Sequence, residues 1–149
     1  MANVALSSVE GEIVMGLDPV MRILALRHRQ AAIDAGLPFT LISGLRSRSQ
    51  QAALASDATR TTPAAPAGNS KHEVGAAYDV ARQSADTEAR VGALAETLGL
   101  RWGGRFQPKP DPNHFELPES RAEIAGYRNL VLVGLAAGVG LVVLLKDRS

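Results

Sequence analysis

His72, Asp79, Asp111 and His114 stand in two short segments, Ser70-Lys71-His72-Glu73-Val74-Gly75-Ala76-Ala77-Tyr78-Asp79 and Asp111-Pro112-Asn113-His114. The chain has three histidines and no cysteine, and two of those histidines fall inside these segments. Two imidazole nitrogens and one carboxylate oxygen are a ligand set that leaves a tetrahedral zinc ion one open position, as in catalytic rather than closed structural sites. Asp111 lies three residues before His114, where a carboxylate can stand beside the open position without binding the metal. A zinc-bound water next to such a carboxylate is the apparatus of metal-assisted hydrolysis. Asp79 follows His72 by seven positions, too many for neighbours on one helical turn. The spacing suits a loop ligand followed by a strand ligand, with Gly75, Ala76 and Ala77 small enough to let the chain fold back.

The elements that must hold these residues follow from periodicity and caps. Asp18 caps a helix with Pro19 at its first position, and Val20 to Ile33 continue it until Gly36-Leu37-Pro38. Phe39 to Ile42 is a short apolar run suited to a buried strand, and Ser47 to Ala55 begins with polar residues and reads as a second helix. Asp57 to Asn69 is a Thr-, Pro- and Ala-rich loop that stays mobile or lies over the site. Ala76 to Val80 alternates like a strand. Thr87 to Leu98 has helical spacing and stops at Gly99, and Leu100 to Gly104 leads into a proline-rich turn over Pro108 to Pro112. His114 to Leu117 alternates again, ended by Pro118. The sum is an α+β fold: a small mixed domain with a short antiparallel sheet around a zinc site. Residues 1–18 form an N-terminal segment, 19–120 the domain, and 121–149 a C-terminal helix with a short charged tail.

Composition narrows the class. Sixteen basic and fifteen acidic residues leave a net charge of +1, without the basic stripe that nucleic acid requires. With aromatics at 4%, the core is built mainly from small aliphatics. Absence of cysteine excludes disulfides and thiolate metal sites. Met1 to Asp18 lacks the basic start and long apolar run of a secretory signal. Leu130 to Leu145, by contrast, is sixteen uncharged apolar or glycine residues, flanked by Arg128 and by Lys146, Asp147 and Arg148. At a rise of about 1.5 Å per residue this makes roughly 24 Å of helix, near the ~30 Å of a bilayer's hydrocarbon core. Apolar around its whole circumference, it is expected to anchor the chain in a membrane rather than pack as a core helix. Gly134 and Gly138 offer a small-residue face for helix–helix self-association.

The wider pattern Ser70-x-His72-x-x-Gly75-x-Ala77-x-Asp79 resembles the zinc D-alanyl-D-alanine carboxypeptidases of the VanY kind, the related D-Ala-D-Ala dipeptidases, and the L-alanyl-D-glutamate endopeptidases of phage lysins. Leu41-Ile42-Ser43-Gly44-Leu45-Arg46-Ser47 is similar to that family's strand-Ser-Gly-Tyr-Arg-Ser segment, and Leu100-Arg101-Trp102-Gly103-Gly104 to its Gly/Trp-rich segment. Asp111 to Glu116 is similar to its closing Asp/Glu-x-x-His-hydrophobic-Glu. The resemblance covers most of residues 20 to 117, with all four blocks in order. It implies that His72, Asp79 and His114 bind Zn²⁺ and that Asp111 moves the proton from water to the leaving amine. It also implies that Arg46 faces the scissile carbonyl or a substrate carboxylate, and that Ser70 hydrogen-bonds near the ligands. Leu45 stands where the family has an aromatic, and the Ala/Pro-rich loop is a further departure; both bear on substrate rather than on zinc.

Other residues receive plainer readings. His28, between Arg27 and Arg29, is expected to face solvent; Trp102 to form core or pocket wall; Glu116 to orient a ligating histidine. The expected activity is cleavage of peptidoglycan stem peptides. The L-Ala–D-Glu endopeptidase of phage lysin or virion type is favoured by the short segment between Asp79 and His114, and D-Ala-D-Ala carboxypeptidase is the alternative. A non-catalytic, membrane-anchored virion or wall-binding protein is the reading from another class, and a preserved Asp111 argues against it. The expected place is a membrane, facing the periplasmic wall, with virion proteins as further partners.

Overall fold

The computed structural model describes residues 5–59 and 64–124. The chain divides into two compact units, Met1–Pro118 and Glu119–Ser149, and every element described here belongs to the first. Among the described residues the α-helices and strands are α1 (Ser8–Gly16), α2 (Pro19–Asp34), β1 (Leu41–Ser43), α3 (Arg48–Ser56), β2 (Ala77–Val80), α4 (Ala85–Thr97), β3 (Arg101–Trp102) and β4 (His114–Glu116). The strands make one sheet in the order β1-β2-β4-β3, with all three pairings antiparallel. This is the mixed α+β domain with a short antiparallel sheet that periodicity suggests.

Helix starts follow their caps. Asp18 accepts from the Val20 amide at 3.0 Å with Pro19 behind it, and Ser47 and Gln50 form a reciprocal capping box at α3. Sequence reading assigns no element to residues 1–18, yet Ser7 and Glu10 form another capping box and α1 follows. Glu10 then reaches beyond its own helix. Its Oε1 accepts from the Leu41 amide of β1 at 3.2 Å and lies 3.6 Å from Nε of Arg29 on α2. One buried carboxylate thereby links α1, α2 and the first strand.

The reading of His28 as solvent-facing is overturned: it is fully buried. Met21, Ala25, His28 and Ala32 occupy one face of α2 at three- and four-residue spacing, and all are buried. The ring lies edge-on to Phe39 and Phe115. Its polar atoms are satisfied inside the core, because Nε2–H donates to the Val91 carbonyl of α4 at 2.8 Å and Nδ1 accepts from the Tyr78 hydroxyl at 2.6 Å. Desolvation lowers its pKa to about 4, a hydrogen bond to Val91 only partly offsetting it.

In the Ala/Pro-rich loop, Nε2 of buried Gln51 on α3 donates to the Ala65 carbonyl at 2.7 Å. Among the described residues no helix is long and apolar enough to cross a membrane. The expected anchor, Leu130 to Leu145, lies outside the described residues.

Candidate metal centre

Asp79 and His114 face each other as register partners on β2 and β4, so the central strand pair presents a carboxylate and an imidazole side by side. His72 comes from a 3-10 turn, Lys71–Val74, just before β2. Ser70 caps this turn by accepting from the His72 amide at 3.3 Å, as expected of a residue hydrogen-bonding near the ligands. Glu73 closes the cap from the other side and accepts from the Gly68 amide at 2.8 Å. Gly75 ends the turn at φ +70°, and a β-carbon there would lie 2.8 Å from the Asp18 amide nitrogen and 3.0 Å from the Gly16 carbonyl oxygen. The position needs glycine both for its left-handed backbone and for the close approach of the α1–α2 junction.

One ligand atom from each of His72, Asp79 and His114 can be chosen so that all lie within 4.8 Å of one another. Oδ1 of Asp79 is 3.0 Å from Nδ1 of His114 and 3.3 Å from Nε2 of His72, and those two nitrogens are 3.2 Å apart. Ligand bonds of about 2.0–2.1 Å at tetrahedral angles separate donor atoms by about 3.3 Å, so this triangle fits zinc. The opposite ring nitrogens are already engaged. Nδ1 of His72 donates to the Gly44 carbonyl at 2.6 Å, and Nε2 of His114 lies 3.2 Å from Oε2 of Glu116. With protons held on those outer nitrogens, the inner ones are left as lone-pair donors.

The metal-free site carries strong electrostatic coupling. Burial would raise the Asp79 carboxyl, but hydrogen bonds from His114 and His72, together with their charge, hold it far below the usual carboxylate range. Burial would lower His114, but its bonds to Asp79 and Glu116 outweigh this and raise its pKa to about 9. Glu116 is lowered despite its burial by His114, Lys71 and Arg101. His114 therefore holds a proton at neutral pH that an incoming metal must displace. Glu116 has the orienting place expected of it and more: its Oε1 also pairs with Nζ of Lys71 at 3.2 Å and Nη1 of Arg101 at 2.8 Å.

Asp111 sits in the turn that leads into β4. Its amide donates to the Gly103 carbonyl at 2.8 Å, and its own carbonyl accepts from the His114 amide at 3.0 Å. A β-carbon at Gly103 would lie 2.3 Å from the Asp111 carbonyl oxygen, so this glycine is required for the approach. Trp102 braces the same turn, since its indole N–H donates to the Pro112 carbonyl at 2.8 Å. The indole also lies on Gly92 of α4 and on Gly104, where added β-carbons would come within 2.3 and 2.2 Å of it. Trp102 is half-buried, a wall residue whose polar edge fixes the Asp111 turn. Phe106, not singled out from sequence, has its ring centroid 5.9 Å from that of His114.

The resemblance directs Arg46 toward substrate; in the structure its guanidinium lies on Oδ2 of Asp79 and donates to the Ser43 hydroxyl at 2.7 Å. Gly44 as the partner of His72, Ser43 as that of Arg46 and Lys71 as that of Glu116 also escape sequence reading. Only their adjacency to the strand-Ser-Gly-x-Arg segment or to His72 hints at it.

Residues 64–117 match the family model described as D-alanyl-D-alanine carboxypeptidase of the peptidase M15 group. Comparison with curated proteins gives no match. Among solved structures, the chain is similar to the L-Ala D-Glu endopeptidase ChiX of Serratia marcescens. That likeness has a TM-score of 0.56 and 22% identity over 76% of this chain and 90% of that one. It is also similar to the LD-carboxypeptidase LdcB, with a TM-score of 0.54 and 22% identity over 83% of this chain and 76% of the other. A third likeness is to the D,D-pentapeptidase VanY of a VanB-type resistance cassette, solved in complex with Zn(II). Its TM-score is 0.58 at 17% identity, covering 75% of this chain and 78% of that one. At such identities the likenesses establish the fold, while the family match spans all three ligands and Asp111. The chain is thus similar to this family across the segment that carries the His72–Asp79–His114 triangle, a donor set that could hold a metal ion.

Proposed function

We propose that this chain cleaves the L-Ala–D-Glu bond of peptidoglycan stem peptides, as a lysin- or virion-type endopeptidase. The observation that carries the hydrolytic part is the donor triangle of His72, Asp79 and His114, with outer ring nitrogens held by Gly44 and Glu116. The endopeptidase specificity is supported by compactness. The match covers 90% of the endopeptidase ChiX but 76% of LdcB and 78% of VanY, and only 35 positions lead from Asp79 to His114.

Bound zinc supplies Lewis acidity toward a water and a carbonyl oxygen. The remaining steps belong to the protein. Asp111 removes a proton as the water oxygen bonds to the scissile carbonyl carbon. It then delivers that proton to the amide nitrogen as the C–N bond breaks, leaving a carboxylate on one fragment and an amine on the other. Gly103 and Trp102 hold the Asp111 turn against the start of β4, so base and ligand keep a fixed spacing.

The test is hydrolysis of purified peptidoglycan and defined muropeptides, with and without a chelator, with products identified by mass spectrometry. New N-terminal D-Glu on the stem supports the endopeptidase; release of free D-Ala assigns the carboxypeptidase instead. A zinc-loaded protein that cuts neither bond would favour a wall-binding or virion module. We further propose that the apolar stretch Leu130 to Leu145 tethers the enzyme to a membrane, facing the periplasmic wall.

A further inference from the structure

We propose that Arg46 and Ser43 are positioning residues for the Asp79 carboxylate, so that the segment Ser43–Arg46 holds two of the three zinc ligands from behind. This rests on the zinc-peptidase reading and assigns Arg46 a task within it. The two oxygens of Asp79 have separate partners. Oδ1 faces the inner nitrogens of His114 and His72 at 3.0 and 3.3 Å. Oδ2 is taken by Nη2 of Arg46. That guanidinium nitrogen is itself steered by the Ser43 hydroxyl, which accepts from it at 2.7 Å.

The backbone completes the arrangement. Ser43 is the register partner of Asp79 across β1 and β2, the Arg46 amide donates to the His72 carbonyl at 3.1 Å, and the Gly44 carbonyl receives Nδ1–H of His72 at 2.6 Å. Three residues of this four-residue segment, Ser43, Gly44 and Arg46, therefore orient one imidazole and one carboxylate. A β-carbon on Gly44 would lie 2.9 Å from Ile13 of α1, so this segment is pressed onto the ligands by the helix behind it.

The chemical consequence concerns how Asp79 ligates. A free carboxylate can bind a metal through one oxygen or both. With a planar cation on Oδ2, only Oδ1 remains for the metal, which keeps the coordination number low and one position open. The pair is largely shielded, its side chains 19% and 11% exposed, so parting it would leave the guanidinium charge shielded from water without its carboxylate partner.

The experiment measures zinc affinity of the full chain by competition with a chromophoric chelator. It adds the visible spectrum of the cobalt-substituted protein and KM and kcat on a defined muropeptide at saturating zinc. Arg46→Gln is expected to weaken zinc binding by about 10–100-fold, the range for groups that orient metal ligands, with KM nearly unchanged. Its cobalt bands should lose intensity as Asp79 turns bidentate. Arg46→Lys should recover part of the affinity, and Ser43→Ala, a change small enough to preserve the fold, should weaken zinc several-fold. Wild-type zinc affinity in Arg46→Gln and Ser43→Ala would overturn the inference, and a raised KM in the former would return Arg46 to the substrate. Failure of the parent chain to bind zinc at all would instead overturn the peptidase reading beneath it.

Discussion

The three candidate ligands differ in what removal should do, because each also serves a neighbour. Asp79 is the partner of both histidines and of Arg46, so Asp79→Ala strips a carboxylate from three cationic or titratable groups at once. His72→Ala and His114→Ala remove one nitrogen each. Loss of any one should abolish stoichiometric zinc, measured by metal analysis after gel filtration, since an open three-ligand site has none to spare. Full occupancy in all three variants would displace the centre elsewhere. Asp111→Asn separates binding from chemistry: zinc and fold should persist while kcat falls by ~10²–10⁴-fold, as for general acid–base groups. A folded Asp111→Asn enzyme with near-normal turnover would point to another base.

At the scale of elements, the sheet and one aromatic bracket set the spacing of the site. β2 and β4 place Asp79 opposite His114; α4 and β3 place Trp102 against Gly92, from where it reaches the Pro112 carbonyl. Trp102→Phe keeps most of the ring and deletes the hydrogen bond. It should retain zinc and lower kcat on the order of 10–100-fold, through misplacement of the Asp111 turn. Gly92→Ala drives a methyl into the indole and should destabilise by about 1–3 kcal/mol, read by thermal or chemical unfolding. Unchanged stability in that variant would mean the indole has room to move.

At the largest scale described, within residues 5–118, His28 joins α2 to β2 through Tyr78 and to α4 through Val91. Its pKa is about 4 in the fold against about 6.5 unfolded. The depressed value means the unfolded state takes up the proton first. Stability from this residue is therefore complete above pH 6.5 and is lost progressively as pH falls toward 4, by up to about 3 kcal/mol. In the metal-free protein His114 acts in the opposite window: its raised pKa of about 9 stabilises below pH 6.5 and fades as pH rises through 9. Urea unfolding at pH 7 and pH 4.5 should show the acid loss in the parent. His28→Phe should flatten it, and an unchanged acid slope would remove His28 as its source. The apolar tail makes a separate forecast: full-length protein should fractionate with membranes, and truncation after Tyr127 should release a soluble domain that keeps zinc. A truncated chain that fails to fold would make the tail a structural helix.

Local chemistry was legible in the order of residues because it depends on neighbours in the chain. Asp18 as a cap announced α2, the polar start at Ser47 announced α3, and the segments carrying His72, Asp79 and His114 announced residues whose ligand atoms the fold brings within 4.8 Å of one another. Even α1 had its signal in Ser7 and Glu10, a capping box of the kind that opens α3, hidden only because little apolar periodicity follows. Tertiary structure alone decided the partners of charged and polar groups. Arg46 and Asp79 are 33 positions apart, and His28 and Tyr78 are 50 apart; no spacing rule reaches that far. A histidine between two arginines reads as exposed until the sheet covers its face of α2. The resemblance directs Arg46 toward substrate, but only the fold decides that its guanidinium meets Asp79, because ion pairing and desolvation act through space.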